Sequence, residues 1–406
     1  MPGLTRTDYV DMLEELYDYD RRVDLVMKDR PALALLERSK LRGGQRYTHI
    51  PLRYVKPMGR SATFSDAQTN RNASEIEGFQ VTYVSNYGYA TVDGDVIDDA
   101  GENVELVAEA LEFEMDGAIE NLSDDLAHSV YRNVGGARGV VGTVSTTTIT
   151  LATLTDIVNF EQNMELVASE NDGSDSAHTL QDSGASATVT AIDYDAGTLT
   201  SDSNWTSQMS SLDAGDFLFV EGDFKGKLAG FDSWVPSSAP SSTAFYGVDR
   251  SVNTRLGGLR YTGTGMPIEE AIMDAKARAA RWGSKVDIAF MEPLEWNKLQ
   301  KSLESKGQLT RDTRRGTGDA ARFGFDVIQH CGIDIVSDPF APAGVVRMLQ
   351  SNTWTLRHSG DDLIRVIDHD DNKFMRETSN DGVEFRIKFR GNLTCKAPGH
   401  NMRLAI

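Results

Sequence analysis

Residues 383–395 read VEFRIKFRGNLTC. Val383, Phe385, Ile387 and Phe389 alternate with Glu384, Arg386, Lys388 and Arg390. Successive side chains on a pleated chain point to opposite faces, so this pattern predicts a strand with one buried face. The turn formers SNDG (379–382) and the extended stretch Leu363–Ile367 precede it, which makes the end of the chain a set of strands.

Working upstream, Trp354–Leu356, Val345–Leu349, Ile333–Val336 and Phe325–Ile328 read as short strands. The basic, glycine-containing segment 306–322 reads as a loop. Helices are expected over 292–305, with Leu294, Leu299 and Leu303 inward, and from Ile268 to Trp282, opened by Pro267. Val286–Phe290 between them reads as a buried strand, and Trp234, Trp282, Trp296 and Trp354 as core anchors. Residues 139–224 lack Lys and Arg and are rich in Ser, Thr, Asp and Gly. Short runs such as Thr147–Leu151, Met164–Val167, Ala187–Ile192, Thr198–Thr200 and Phe217–Val220 predict a small antiparallel barrel or sandwich, inserted into the parent fold.

Residues 97–133 carry the strongest helical signal: Val104, Val107, Leu111, Met115, Ala118, Leu122 and Leu126 recur at steps of three or four. Acidic residues crowd the start, where they favour the helix dipole, and Gly135-Gly136 end it. Further upstream, Tyr47–Val55 and Phe79–Tyr89 are extended runs around a long polar tip, a protruding hairpin that needs support from elsewhere. Residues 4–41 read as a helical arm.

The 406 residues include 41 basic and 61 acidic side chains, a formal net charge of −20. That balance argues against binding nucleic acid by neutralising phosphates. The charge is unevenly placed: residues 72–224 hold 29 acidic side chains and only Arg132 and Arg138 as cations. The rest of the chain is mildly basic, so one part is suited to meet another, in the same chain or in a neighbouring copy. No stretch approaches about 18 consecutive apolar residues, so no membrane span is expected. The polar, acidic N-terminus is not that of a signal or transit peptide. Cys331 and Cys395 fit no zinc or redox spacing and read as small core residues in a reducing compartment.

Catalytic and cofactor motifs fail on inspection. GTGDAARFG (316–324) does not follow a strand, and GDFKGKL (222–228) is one residue short of a phosphate loop, with Leu228 where a hydroxyl residue should bind magnesium. DHDDNK (368–373) begins like a calcium loop but has Lys373 at the turn position and Ser379 at the bidentate position. The histidines form no metal pair, and none of the many carboxylate pairs is singled out. No cofactor, metal or enzyme activity is expected.

The stretches MPIEEAIMDAKARAARWGSKVDIAFMEPLEWNKLQKSL (266–303), FGFDVIQHCGIDIVSDPFAPAGVVRMLQSNTWTL (323–356) and VEFRIKFRGNLTCKAPGHNMRLAI (383–406) together resemble the major capsid proteins of tailed bacteriophages. The order helix, buried strand, Pro-x-x-Trp-x-x-Leu helix, Gly-Ile-x-Ile-Val-Ser-Asp-Pro strand and aromatic–basic strand carries the likeness, as does the upstream order of arm, extended loop and long helix. The resemblance implies an α+β, Hong Kong 97-like phage capsid fold with an inserted small antiparallel β-domain. It implies an N-terminal arm at 1–42, an extended loop at 43–95 and a spine helix of the peripheral domain at 96–138. An acidic insertion domain at 139–229, an axial domain at 230–357 and strands returning to the peripheral domain at 358–406 would follow. With the arm beginning almost at Met1, no internal scaffolding segment is expected.

The implied function is a capsid subunit that assembles with itself into pentamers and hexamers of an icosahedral shell enclosing double-stranded DNA. Portal, scaffolding and decoration proteins are the implied partners, and the virion, assembled in the host cytoplasm, the implied location. Arg42, Arg46, Arg53, Lys56, Arg60 and Arg71 of the arm and hairpin are the candidate inter-subunit contacts, set against the acidic surface of a neighbour. An encapsulin-like compartment shell, and more remotely a hydrolase with a β-module, are the alternatives.

Overall fold

The computed structural model describes residues 29–41, 46–94, 104–175, 177–306, 326–360, 362–367, 374–376 and 382–406. They divide into two compact units, the smaller containing 85–126 with 358–391 and the larger 30–84, 127–357 and 392–406. Most of the arm, the segment 316–324 and DHDDNK (368–373) lie outside the described residues.

The larger unit opens with α1 (Pro31–Leu35), with Pro31 at the first helical position. The spacing of apolar residues predicts helix up to residue 41, but Leu36 leaves it at ψ 133 and β1 (Arg38–Lys40) follows. Arg38, Ser39 and Lys40 have no apolar face for a helix to bury, whereas Glu37 O accepts a sheet bond from Leu356 N at 2.7 Å. The hairpin comes next, β2 (Tyr47–Val55), α2 (Phe64–Thr69) and β3 (Glu75–Thr82), then β4 (Val84–Asp93). The apolar run to Tyr89 is thus two strands: β3 pairs with β2, and β4 belongs to another sheet. The long helix α3 (Val104–Tyr131) has 28 residues, about 42 Å at 1.5 Å per residue.

Residues 139–220 form a seven-stranded antiparallel sheet from β5 (Gly139–Ser145), β6 (Thr148–Leu151), β7 (Glu165–Ser169), β8 (Ala187–Thr188), β9 (Ala191–Asp193), β10 (Thr198–Thr200) and, after the short helix α4 (Trp205–Gln208), β11 (Phe217–Val220). The order is β8-β7-β11-β5-β6-β10-β9. The two edge strands, β8 and β9, are successive parts of one extended run, so the sheet closes on itself as a barrel. Its interior is a separate apolar core of fully buried Ile149, Phe160, Leu166, Leu199, Trp205 and Leu218. Trp205 satisfies its indole by donating to Thr147 O at 2.9 Å.

After α5 (Phe231–Trp234) the chain builds a second sheet. It comprises β12 (Leu259–Thr262), β13 (Ile288–Met291), β14 (Val327–His330), β15 (Ile333–Ser337), β16 (Val345–Leu349) and the last strand of the chain, Met402–Ala405, with α6 (Ile268–Arg281) and α7 (Pro293–Ser305) interleaved in sequence. Two pairings are parallel, Leu259–Thr262 on Met402–Ala405 and β13 on β15; the others are antiparallel. Ala271, Ile272, Ala275, Ala279, Leu299 and Leu303 of the helices share one buried core with Ala289, Ile335, Val346, Met348 and Leu404 of the sheet.

Three expected core residues are on the surface. Leu294 is exposed, because the inward stripe of α7 runs through Trp296, Leu299 and Leu303, and a residue five positions before Leu299 lies about 140° away from it. Trp282 is exposed because it is the C-cap of α6, just before Gly283 turns the chain at φ +86. Cys331 is exposed in the β14–β15 turn at φ +53, while Cys395 is buried as expected and its thiol is pushed up to about 12 by that burial.

Three buried polar residues tie distant segments of this unit together. Asp338, in the motif Ser-Asp-Pro, accepts from Ala32 N at 2.9 Å, Tyr131 Oη at 2.7 Å and Phe340 N at 2.9 Å, so it joins α1, the end of α3 and the sheet. Asn401 Oδ1 accepts from Trp354 Nε1 and from Gln350 N, both at 2.9 Å. Asn392 accepts from Ala229 N and donates to Thr82 O, each at 2.8 Å. Each is at most 1% exposed, where an unsatisfied polar group would cost about 1–3 kcal/mol.

In the smaller unit, β17 (Trp354–His358) ends and β18 (Arg365–Val366), β19 (Phe374–Arg376) and the N-terminal part of β20 (Gly382–Cys395) follow; β4, β18 and β19 all pair with β20. The alternation is as the sequence predicts, with Phe385, Ile387 and Phe389 buried. Glu384 is also buried and accepts from Tyr89 Oη at 2.6 Å. Gly88 lets the strands approach, since a Cβ there would lie 2.6 Å from Ile387 Cγ1. The final strand of the larger unit, Met402–Ala405, is β21.

Candidate functional site

The hairpin 47–82 changes character from base to tip. β2 and β3 pair antiparallel from Tyr47↔Thr82 to Val55↔Glu75, with an irregularity after Arg53. At the base Thr48, Ile50, Phe79 and Val81 are buried. Phe79 packs edge-on to Trp234 at 5.2 Å and to Phe245 at 6.1 Å between ring centroids, and Gln80 N donates to Tyr246 O at 3.0 Å. Arg255 holds the far end of β2 by donating to Tyr54 O at 2.9 Å. His49 faces Gly78 so closely that any Cβ there would strike its ring, which explains the glycine.

Beyond Val55 the anchors cease. A single bridge, Met58↔Asn72, links the two limbs. The polar tip, read from sequence as turns, contains α2, whose N-cap Thr63 accepts from Asp66 N and donates to the Asp66 carboxylate at 2.6 Å. Met58, Phe64 and Ile76 are exposed, Phe64 at 84%. Arg46, Arg53, Lys56, Arg60 and Arg71 are all exposed, and none makes an ion pair with a described residue. Arg42 lies outside the described residues. Neighbouring Glu75 and Glu77 push the Tyr54 phenol up to about 12, chiefly through its hydrogen bond with Glu75.

The acidic surface has the opposite economy. The only two cations of residues 72–224 turn inward: Arg132 binds Asp156 at 2.9 Å, and buried Arg138 donates to Asn159 O at 3.2 Å. Lys227, in the stretch that superficially resembles a phosphate loop, is buried against Asp223 at 2.8 Å. Glu165, Glu170, Asp193, Asp195, Asp202, Asp213 and Glu221 stay exposed on the barrel. Among the described residues no cluster of His, Cys, Asp and Glu is placed to hold a metal ion, and no helix is long and apolar enough to cross a membrane.

A chain of the capsid asymmetric unit of cyanophage A-1(L) matches this structure with a TM-score of 0.57, over 96% of this chain and 95% of that one, at 13% identity. The fold is that of a phage capsid protein. The capsid-fold chain also matches the holo-SrpI encapsulin complex of Synechococcus elongatus (TM-score 0.49, 8% identity, 97% of this chain and 94% of that one). A chain of Mycobacterium phage Bobi matches with a TM-score of 0.41 at 12% identity, over 100% and 99%. No protein-family model and no curated protein matches the sequence.

Proposed function

We propose that this chain is the major capsid protein of a tailed bacteriophage. It assembles into pentamers and hexamers of an icosahedral shell around double-stranded DNA, in the host cytoplasm, with portal protein and possible scaffolding and decoration proteins as partners. The observation that carries the reading is the likeness of fold to a phage capsid chain along nearly the whole length of both. The role is structural, not enzymatic.

On this reading the divisions are an arm (1–42), an extended loop (43–95), a spine helix (96–138), an acidic insertion (139–229), an axial domain (230–357) and returning strands (358–406). The hairpin of one subunit lies on the acidic surface of the next, through Arg42, Arg46, Arg53, Lys56, Arg60 and Arg71. Exposed ion pairs contribute only about 0–1 kcal/mol each. The exposed apolar side chains and the multiplicity of copies therefore supply most of the adhesion. The net negative charge keeps the packaged DNA from sticking to the wall.

Electron microscopy of the expressed protein tests the proposal. Closed icosahedral shells are expected, and a protein that stays monomeric under all assembly conditions would overturn it. Shells that capture a protein cargo would instead favour a compartment.

A further inference from the structure

We propose that the cleft between the barrel and the start of α7 receives the hairpin tip of a second copy of this chain. The inference rests on the capsid reading and deepens it, by naming the place on the neighbour where the tip seats.

The cleft has a volume of about 540 Å³ and is lined mainly by apolar side chains. The barrel contributes Leu154 and Tyr194, and the rest of the unit contributes Leu294 and Phe340. Leu154, Tyr194 and Leu294 are each about half exposed. Among the described residues of the barrel, Leu154 and Tyr194 are the only large apolar side chains left in water. Both are held in place. Leu154 packs on Gly197, where a Cβ would lie 2.7 Å from its Cδ2, and Tyr194 donates to the Glu161 carboxylate at 3.4 Å. On the opposite side Glu292 caps α7 by accepting from Glu295 N at 3.1 Å, which fixes Leu294 two residues on. Of the charged groups in the lining, Arg132 and Asp156 pair at 2.9 Å, and the remaining two, Asp195 and Glu292, are both carboxylates.

The hairpin tip is the counterpart of this surface. Met58 and Phe64 are exposed on it, and Ile76 at its foot. Residues 56–74 carry Lys56, Arg60 and Arg71 against Asp66 alone. An apolar tip ringed by cations thus matches an apolar cleft bordered by carboxylates. Charge by itself would suit any part of the acidic barrel; Leu154, Tyr194 and Leu294 single out the cleft. The tip and the cleft belong to the same compact unit, yet no tip residue lines the cleft and both are uncovered. The chain does not bury one against the other, so a neighbouring copy supplies the cover. Because the two halves of the contact lie at different places on one chain, the contact runs head to tail, and such a contact closes into a ring when its rotation permits.

The test is disulfide trapping in assembled shells. In a Cys331→Ser background, which removes the exposed native thiol, Phe64→Cys is combined with Leu294→Cys and oxidised with diamide. A non-reducing gel should show a ladder of linked subunits from the shells, at least about tenfold stronger than with either cysteine alone, and no ladder from unassembled subunits. Phe64→Cys with Asp202→Cys, outside the cleft, is the control. Shells that give no ladder, or one no stronger than the control, would overturn the inference while leaving the capsid reading intact. A parent chain that never assembles would overturn both. A second measurement avoids cysteines: Leu294→Lys should lower shell yield by at least about tenfold by setting a cation against the basic tip, whereas Leu294→Met should not. Both variants should keep the melting temperature of the isolated subunit, since Leu294 is exposed. Equal shell yields from parent, lysine and methionine variants would also overturn the inference.

Discussion

The barrel (139–220) and the hairpin (47–82) are both made of antiparallel strands, yet they solve the problem of a sheet edge in opposite ways. In the barrel the two end strands are parts of one continuous run, 187–193, which pairs with β7 through its first half and β10 through its second, and the interior is filled by its own side chains. Its outer face is therefore free to carry exposed carboxylates such as Glu165, Asp193 and Asp202. The hairpin has two strands and no interior. Its base borrows a core from Trp234 and Phe245, and its far end leaves Phe64, Met58 and Ile76 in water beside unpaired cations. A self-contained β-element can remain alone; one that ends in exposed apolar side chains is built to be covered.

The largest expected effect tests the barrel's independence. Trp205→Ala removes a fully buried indole and its bond to Thr147 O, and should cost about 3–5 kcal/mol. Because the barrel core is separate from that of the six-stranded sheet, calorimetry should show one transition falling and the other unmoved. An equal fall in both would break the comparison. Phe79→Ala should cost about 3 kcal/mol, at the low end for a phenylalanine because an open hairpin can close over the void. Its signature is local: faster proteolytic cutting between residues 56 and 74, with the barrel transition unchanged.

Charge reversal at the tip, Arg53→Glu with Lys56→Glu, should leave the melting temperature of the isolated subunit within error, since both side chains are exposed and neither forms an ion pair among the described residues. Shell yield should fall and its dependence on salt should change. Unaltered assembly and salt tolerance would remove the hairpin cations from the interface.

The smallest effect concerns pH. Glu221 is raised above its ordinary 4.5, first by its hydrogen bond with Glu165, then by desolvation and the charge of that neighbour. A raised carboxyl contributes stability that is full below about 4.5 and is lost as pH rises through the raised value. Glu221→Gln mimics the protonated form, so the variant should melt slightly higher than the parent at neutral pH and equally near pH 4. Thermal melts across that range check it; a difference that grows on acidification would reverse the sign.

Local pattern carried a large part of this fold. The period-two run 383–389 forms the strand it describes, and the spacing from Val104 to Leu126 lies within one long helix. The charge count separated an acidic stretch from basic ones. Other features had no local signal. Leu294 and Trp282 sit in apolar patterns and are exposed, because one position on a helix or one residue past its cap changes the face presented. The hairpin's second strand stops at Thr82 and not at Tyr89, because β4 finds β20, some 300 residues away. Of the candidate contact residues, the sequence revealed their charge but not that no described residue forms an ion pair with Arg53, Lys56, Arg60 or Arg71.

The amino-acid sequence by itself determined most of the strand and helix segments and where the charge lies, since both depend on residues within a turn or two of one another. Only the tertiary structure decided that the barrel closes, that Asp338 fastens α1 and α3 to the sheet, and that Arg347 and Arg403 meet at Asp232. These depend on pairings between segments tens to hundreds of residues apart, which burial and hydrogen-bond satisfaction select for the whole chain at once.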